Sequence, residues 1–131
     1  MFKVKNRYDE VFRIEIDGWC YGIENYPGEI SPSIVLRIIR ELSVSFEAAI
    51  HHNVVFNILE ISSKFSKAAK CLIHEREIAF AILAQLPNPG LLEEEQQCVI
   101  ALLIDQVEGA YGGALEKFNR RWRSVPTKQA A

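Results

Sequence analysis

The sequence predicts an α+β fold, an N-terminal antiparallel β-hairpin with room for three short strands, packed on a bundle of three to four α-helices. Three observations lead there. Residues 12–23 alternate large apolar with polar side chains around Asp17-Gly18, the dipeptide that a two-residue type I′ turn prefers. Beyond them the apolar residues recur at helical spacing, punctuated by proline, glycine and serine clusters. With 131 residues, 49% hydrophobic and 24% charged, the chain can build one core without a disulfide or a structural metal.

A turn at Asp17-Gly18 pairs Ile16 with Trp19, Ile14 with Tyr21 and Phe12 with Ile23, so six apolar side chains fall on one face. Arg13, Glu15, Cys20 and Gly22 take the other. Upstream, Phe2 and Val4 alternate with Lys3 and Lys5 and supply the third short strand. Tyr26-Pro27-Gly28-Glu29 reads as a type II turn, and Ser31-Pro32 as an N-cap with proline at the first helical position. Val35, Ile38, Ile39 and Leu42 continue that helix until Ser43-Val44-Ser45 interrupts it.

From Phe46 the period through Ile50, Val54, Ile58, Ile61, Phe65, Ala69 and Leu72 predicts a second helix, with a strand over the β-rich residues 54–61 as the competing reading. Ser62, Ser63 and Ser66 break or cap it. Residues 68–86 form a third helix that stops at Pro87-Asn88-Pro89-Gly90. The last runs over 91–122, with Glu93, Glu94 and Glu95 in its first turns and Arg120, Arg121 and Arg123 at its end, as the helix dipole favours. Residues 1–123 make the domain and 124–131 a loose tail.

Net charge excludes little beyond strong fields: at −2 the chain has no pull toward nucleic acid or anionic lipid. Residues 78–84 and 98–104 are apolar nearly all round, which predicts helices covered on every side by the domain or a partner, yet they are too short to span a bilayer. The N-terminus lacks the apolar run of a signal peptide. Cys20, Cys71 and Cys98, odd in number and set in apolar or strand-like stretches, read as core thiols in a reducing cytoplasm.

Cys71 and His74, three apart on a predicted helix, suggest a zinc site with Cys98 and either His51 or His52. Pairing the last two helices about Asn88 opposes this, because it sets Cys98 roughly 7 to 8 Å along the axis from the level of His74. The same two residues fail as nucleophile and base, since neighbouring backbone N–H groups in mid-helix are already bonded. His51-His52-Asn53 offers a general base, with only one ring facing any pocket. Gly109, Gly112 and Gly113 match no phosphate loop. Their cost to a helix, up to about 1 kcal/mol each, predicts either close approach of another backbone or a break.

The C-terminal end carries Lys117, Arg120, Arg121, Arg123 and Lys128 around Trp122, with no acid after Glu116. Such a cluster can stack on and pair with nucleic acid, but cations at a helix C-terminus also stabilise it unaided. No metal, cofactor or catalytic constellation is expected. The expected function is a non-catalytic protein-binding domain, for instance a small cytosolic inhibitor or immunity-type protein, with Arg120, Arg121, Trp122 and Arg123 at the contact. Its partner is a protein or a second copy, rather than nucleic acid or a membrane. A small enzyme with a histidine-based site and a nucleic-acid binder using the basic end are the alternatives.

Overall fold

The computed structural model describes residues 7–112, and among them the chain forms six α-helices and one turn of 3-10 helix, with no strand. The predicted hairpin is replaced by α1 (Arg7–Glu24). Its inward stripe is Phe12, Ile16 and Ile23, fully buried, with Trp19 and Cys20 half-buried between them, a spacing of helical period. Ile14 and Tyr21, which the alternation set beside Phe12 and Ile16, are 66% and 68% exposed on the opposite side. Asp17-Gly18 lies in mid-helix. The physical reason is that these residues carry both periods at once, and a lone two-stranded ribbon leaves edge N–H and C=O groups unpaired, whereas a helix satisfies its interior backbone groups within itself. Phe2 and Val4 lie outside the described residues.

Gly28, at φ +101, adopts the left-handed conformation expected at the third position of a type II turn. Ser31 caps α2 (Pro32–Glu41), its Oγ accepting the Ile34 N–H at 3.4 Å, and buried Leu42 separates α2 from α3 (Ser43–His51). The long helix predicted from Phe46 is divided. Asn53 turns the chain at φ +58, its N–H donating to the Ile50 carbonyl at 3.0 Å while the Val54 N–H donates to that of Ala49 at 2.8 Å, a Schellman-type C-cap. Asparagine is the residue other than glycine that most readily ends a helix this way.

An irregular link over 54–57, with Val54 and Phe56 buried and Val55 exposed, then leads to α4 (Ile58–Ala68). The serines expected to break or cap this helix lie within it. Ser62 Oγ donates to the Ile58 carbonyl at 2.8 Å, and Ser66 Oγ to that of Ile73 at 3.0 Å, which satisfies both buried hydroxyls. A second cap of the same type ends α4, with Lys70 at φ +57 and Cys71 at φ +60, so the helix predicted over 68–86 starts only at α5 (Glu75–Ala84). After the 3-10 turn Pro89–Leu91 comes α6 (Glu94–Tyr111). It stops at Gly112, φ +55, and of the two readings of the glycines the break holds. A Cβ at Gly109 or Gly112 meets nothing within 4 Å. Gly113 lies outside the described residues.

At the centre α4 and α5 pack on each other. Around them α1 lies on α3 and α4, α2 on α3 and α5, and α6 on α3, α4 and α5. Phe12, Phe46 and Phe56 form an aromatic triad with centroids 4.7 to 5.9 Å apart, tying α1 to α3 and to the link before α4. Gln106 of α6 holds that link from the other side: the Ile58 N–H donates to its Oε1 at 2.8 Å, and its Nε2 donates to the Phe56 carbonyl at 3.0 Å. One side chain thereby satisfies backbone groups where the helix has not yet begun.

Candidate functional site

The three histidines sit at helix ends, each engaged there. His51 Nε2 lies 3.9 Å from Glu47 one turn back, and His52 Nδ1 donates to the Ala48 carbonyl at 2.9 Å while its ring rests on that of Tyr8. His74 is the N-cap of α5, its Nδ1 accepting the Arg76 N–H at 2.9 Å. Among the described residues no three His, Cys, Asp or Glu side chains are placed to hold a metal ion. Cys71 and Cys98 are exposed, not core thiols as the sequence suggested, because Cys71 lies in the left-handed link and Cys98 on the outer side of α6.

Cys71 and His74 also leave the mid-helix setting expected of them. Together with Glu75 and Tyr111 they line a shallow depression between the start of α5 and the end of α6. Burial raises the pKa of the Tyr111 phenol and so disfavours its ionisation, with Glu75 adding to the rise and Arg76 opposing it. A neutral phenol and an imidazole whose Nδ1 lone pair is committed to a helix N-terminus supply no nucleophile–base–orienter chain.

A second depression, a cleft of about 330 Å³, runs between α1 and α4, with Phe12, Ile16 and Ile61 among its apolar lining and Asp9, Arg13, Glu60 and Lys64 among its charged lining. At this side Lys64 Nζ meets Asp17 at 3.1 Å. Cys20 nearby is pushed up to about 11, chiefly by burial, while Lys64 pulls it down and Asp17 and Glu24 add to the rise. Charges of both signs line this open cleft, and Lys64 is engaged by Asp17, so no nucleophile–base–orienter chain is assembled there among the described residues.

The outer face of α1 is different in kind. Val11, Ile14, Gly18 and Tyr21 follow a 3-4-3 spacing, which places them on one stripe diametrically opposite Phe12, Ile16 and Ile23. Val11 is 46% exposed, Ile14 and Tyr21 more so, and nothing lies near Gly18. Glu10, Asp17 and Glu24 run along one side of this stripe and Glu15 along the other, with Arg7 at its N-terminal end. An amphipathic helix normally has one apolar face; this one has two. The signal was in the sequence, hidden because the two stripes together imitate strand alternation. Leu102 of α6 and Leu91 of the 3-10 turn are further exposed apolar side chains.

Arg120, Arg121, Trp122 and Arg123, expected at a partner contact, lie outside the described residues. No helix among the described residues is long and apolar enough to cross a membrane. Comparison of the chain with protein families, with curated proteins and with solved structures finds no match.

Proposed function

We propose that the chain is a non-catalytic protein-binding domain that engages its partner through the outward face of α1. The observation that carries this reading is the second apolar stripe, Val11, Ile14 and Tyr21, on a helix already anchored by its other face. Large apolar side chains presented at a, d spacing on a fixed helix are the means by which helices seat in apolar grooves, and acidic flanks give such a contact its register. The partner is a protein, and the exposed Cys71 and Cys98 thiols suit a reducing cytoplasm.

Affinity capture from the native cell tests this with variants of unchanged melting temperature. Ile14→Asp combined with Tyr21→Asp is expected to remove a stoichiometric partner that the unmodified protein retains, because a buried carboxylate in the contact is left unpaired. His51→Gln, His52→Gln and His74→Gln are expected to retain it. Retention by the aspartate variant would place the partner elsewhere, and an activity lost to one histidine change would replace this reading with an enzyme.

A further inference from the structure

We propose that the occupant of the outward face of α1 is a single α-helix of a partner protein, basic along its flanks and seated on the stripe from Val11 to Tyr21. This names the partner for the face read as a binding surface, and it rests on that reading. The width of the stripe selects the kind of occupant. Val11, Ile14, Gly18 and Tyr21 fill only the a and d positions of two heptads, and charge begins at the neighbouring positions, Glu10 and Asp17 on one edge and Glu15 on the other. A groove between helices accepts a broader apolar face that includes e or g, whereas a strict a, d seam is what one helix covers.

The seam is bounded at both ends. The preceding d position is Arg7, and the following a position is Asn25, whose N–H donates to the Tyr21 carbonyl at 3.0 Å. Between Val11 and Tyr21 the helix rises about 15 Å, which about three turns of a partner helix cover. Ile14, Asp17, Gly18 and Tyr21 stand at i, i+3, i+4 and i+7, the four corners of a hole for one knob of that helix. A Cβ built at Gly18, or at Gly22 one turn on, meets nothing within 4 Å, so the hole admits a large apolar side chain.

Charge fixes the chemistry of the flanks. Glu10, Asp17 and Glu24 recur every seventh residue along one edge and Glu15 lies on the other, against Arg7 at the N-terminal end and Lys64 of α4, which meets Asp17 at 3.1 Å. Arg13 lines the cleft between α1 and α4 instead. Lysines or arginines at the partner's e and g positions therefore meet mostly opposite charge, and acids there meet like charge. A second copy of α1 is a poor occupant. Laid parallel it sets Glu10 against Glu15, and laid antiparallel it sets Glu10 against Glu24 and Asp17 against its own counterpart.

The test presents the full chain to a displayed library of single amphipathic helices about three heptads long, with apolar residues at a and d and lysine, glutamine or glutamate at e and g. Retained helices are expected to carry lysine at those flanks several-fold more often than glutamate. Glu10→Lys combined with Glu24→Lys, at exposed positions, should weaken binding of a retained lysine helix about tenfold and turn the selection toward glutamate. Ile14→Asp with Tyr21→Asp should abolish retention. Because that variant adds negative charge, attraction by charge alone would grow in it. Glutamine or glutamate flanks as frequent as lysine, on helices that the aspartate variant loses, overturn the basic partner and leave the binding face standing. No retained helix, or helices that the aspartate variant keeps, overturn the single-helix occupant, and the face itself then stands or falls by capture of the cellular partner with the same variant.

Discussion

Helices α1 and α5 differ in what their apolar residues do. In the ten residues of α5, Ile78, Ala79, Ile82 and Leu83 are buried among α2, α4 and α6, and Phe80 and Ala81 are half-covered. In the eighteen of α1, three are fully buried, and as many large apolar side chains on the outer stripe stand in solvent. A central helix converts nearly all its apolar surface into stability. A peripheral one stabilises the fold with a single stripe and has the other left for a contact.

The largest effect expected from this difference is on stability. Leu83→Ala should cost about 2 to 5 kcal/mol, through lost transfer energy and the cavity left behind, whereas Ile14→Ala should stay within about 0.5 kcal/mol. Urea melts of the two variants measure both, and equal losses would show that the outer stripe of α1 is packed as tightly as α5. A smaller change separates helix from hairpin at the same place. Gly18→Ala puts a Cβ into open space within α1 and should raise stability by up to about 1 kcal/mol, read as a higher melting temperature. In a type I′ turn the same change would lower it, since that position needs positive φ.

The smallest effect distinguishes the two faces of α1 chemically. Cys20, on the inner side, has its thiol raised from 9.0 to about 11 by burial. Protons leave the unfolded thiol first, so this contribution is complete below pH 9.0 and is lost as pH rises toward about 11. Alkylation at mildly alkaline pH should accordingly modify the exposed Cys71 and Cys98 and spare Cys20, as peptide mapping would show. Equal modification of all three would mean that α1 separates readily from α4.

What the chain announced by itself is local. Ser31-Pro32 starts α2 and the prolines at 87 and 89 end α5, whereas the helix read over 91–122 begins only at Glu94, where the Glu93 N–H donates to Gln96 Oε1 at 3.3 Å, and ends at Tyr111 before Gly112, a stop the sequence left open. Each acts through groups within a few residues, so its meaning does not wait for the rest of the fold. Of the candidate site, the apolar residues of α1 were visible but not their separation into two faces. Other features had no local signature. Lys70 and Cys71 end α4 at positive φ where glycine would have marked the turn, a conformation that Ser66 holds by accepting the Cys71 N–H at its carbonyl and donating its hydroxyl to Ile73. The link before α4 depends on Gln106, some fifty residues away. For residues 12–23 local chemistry allowed both a hairpin and a helix, and the choice fell to α3 and α4, which offer a surface shaped for one apolar stripe and no strand for an edge to pair with. Tertiary structure decided α1 because burial of Phe12, Ile16 and Ile23 against those helices favours the one conformation that also satisfies its own backbone.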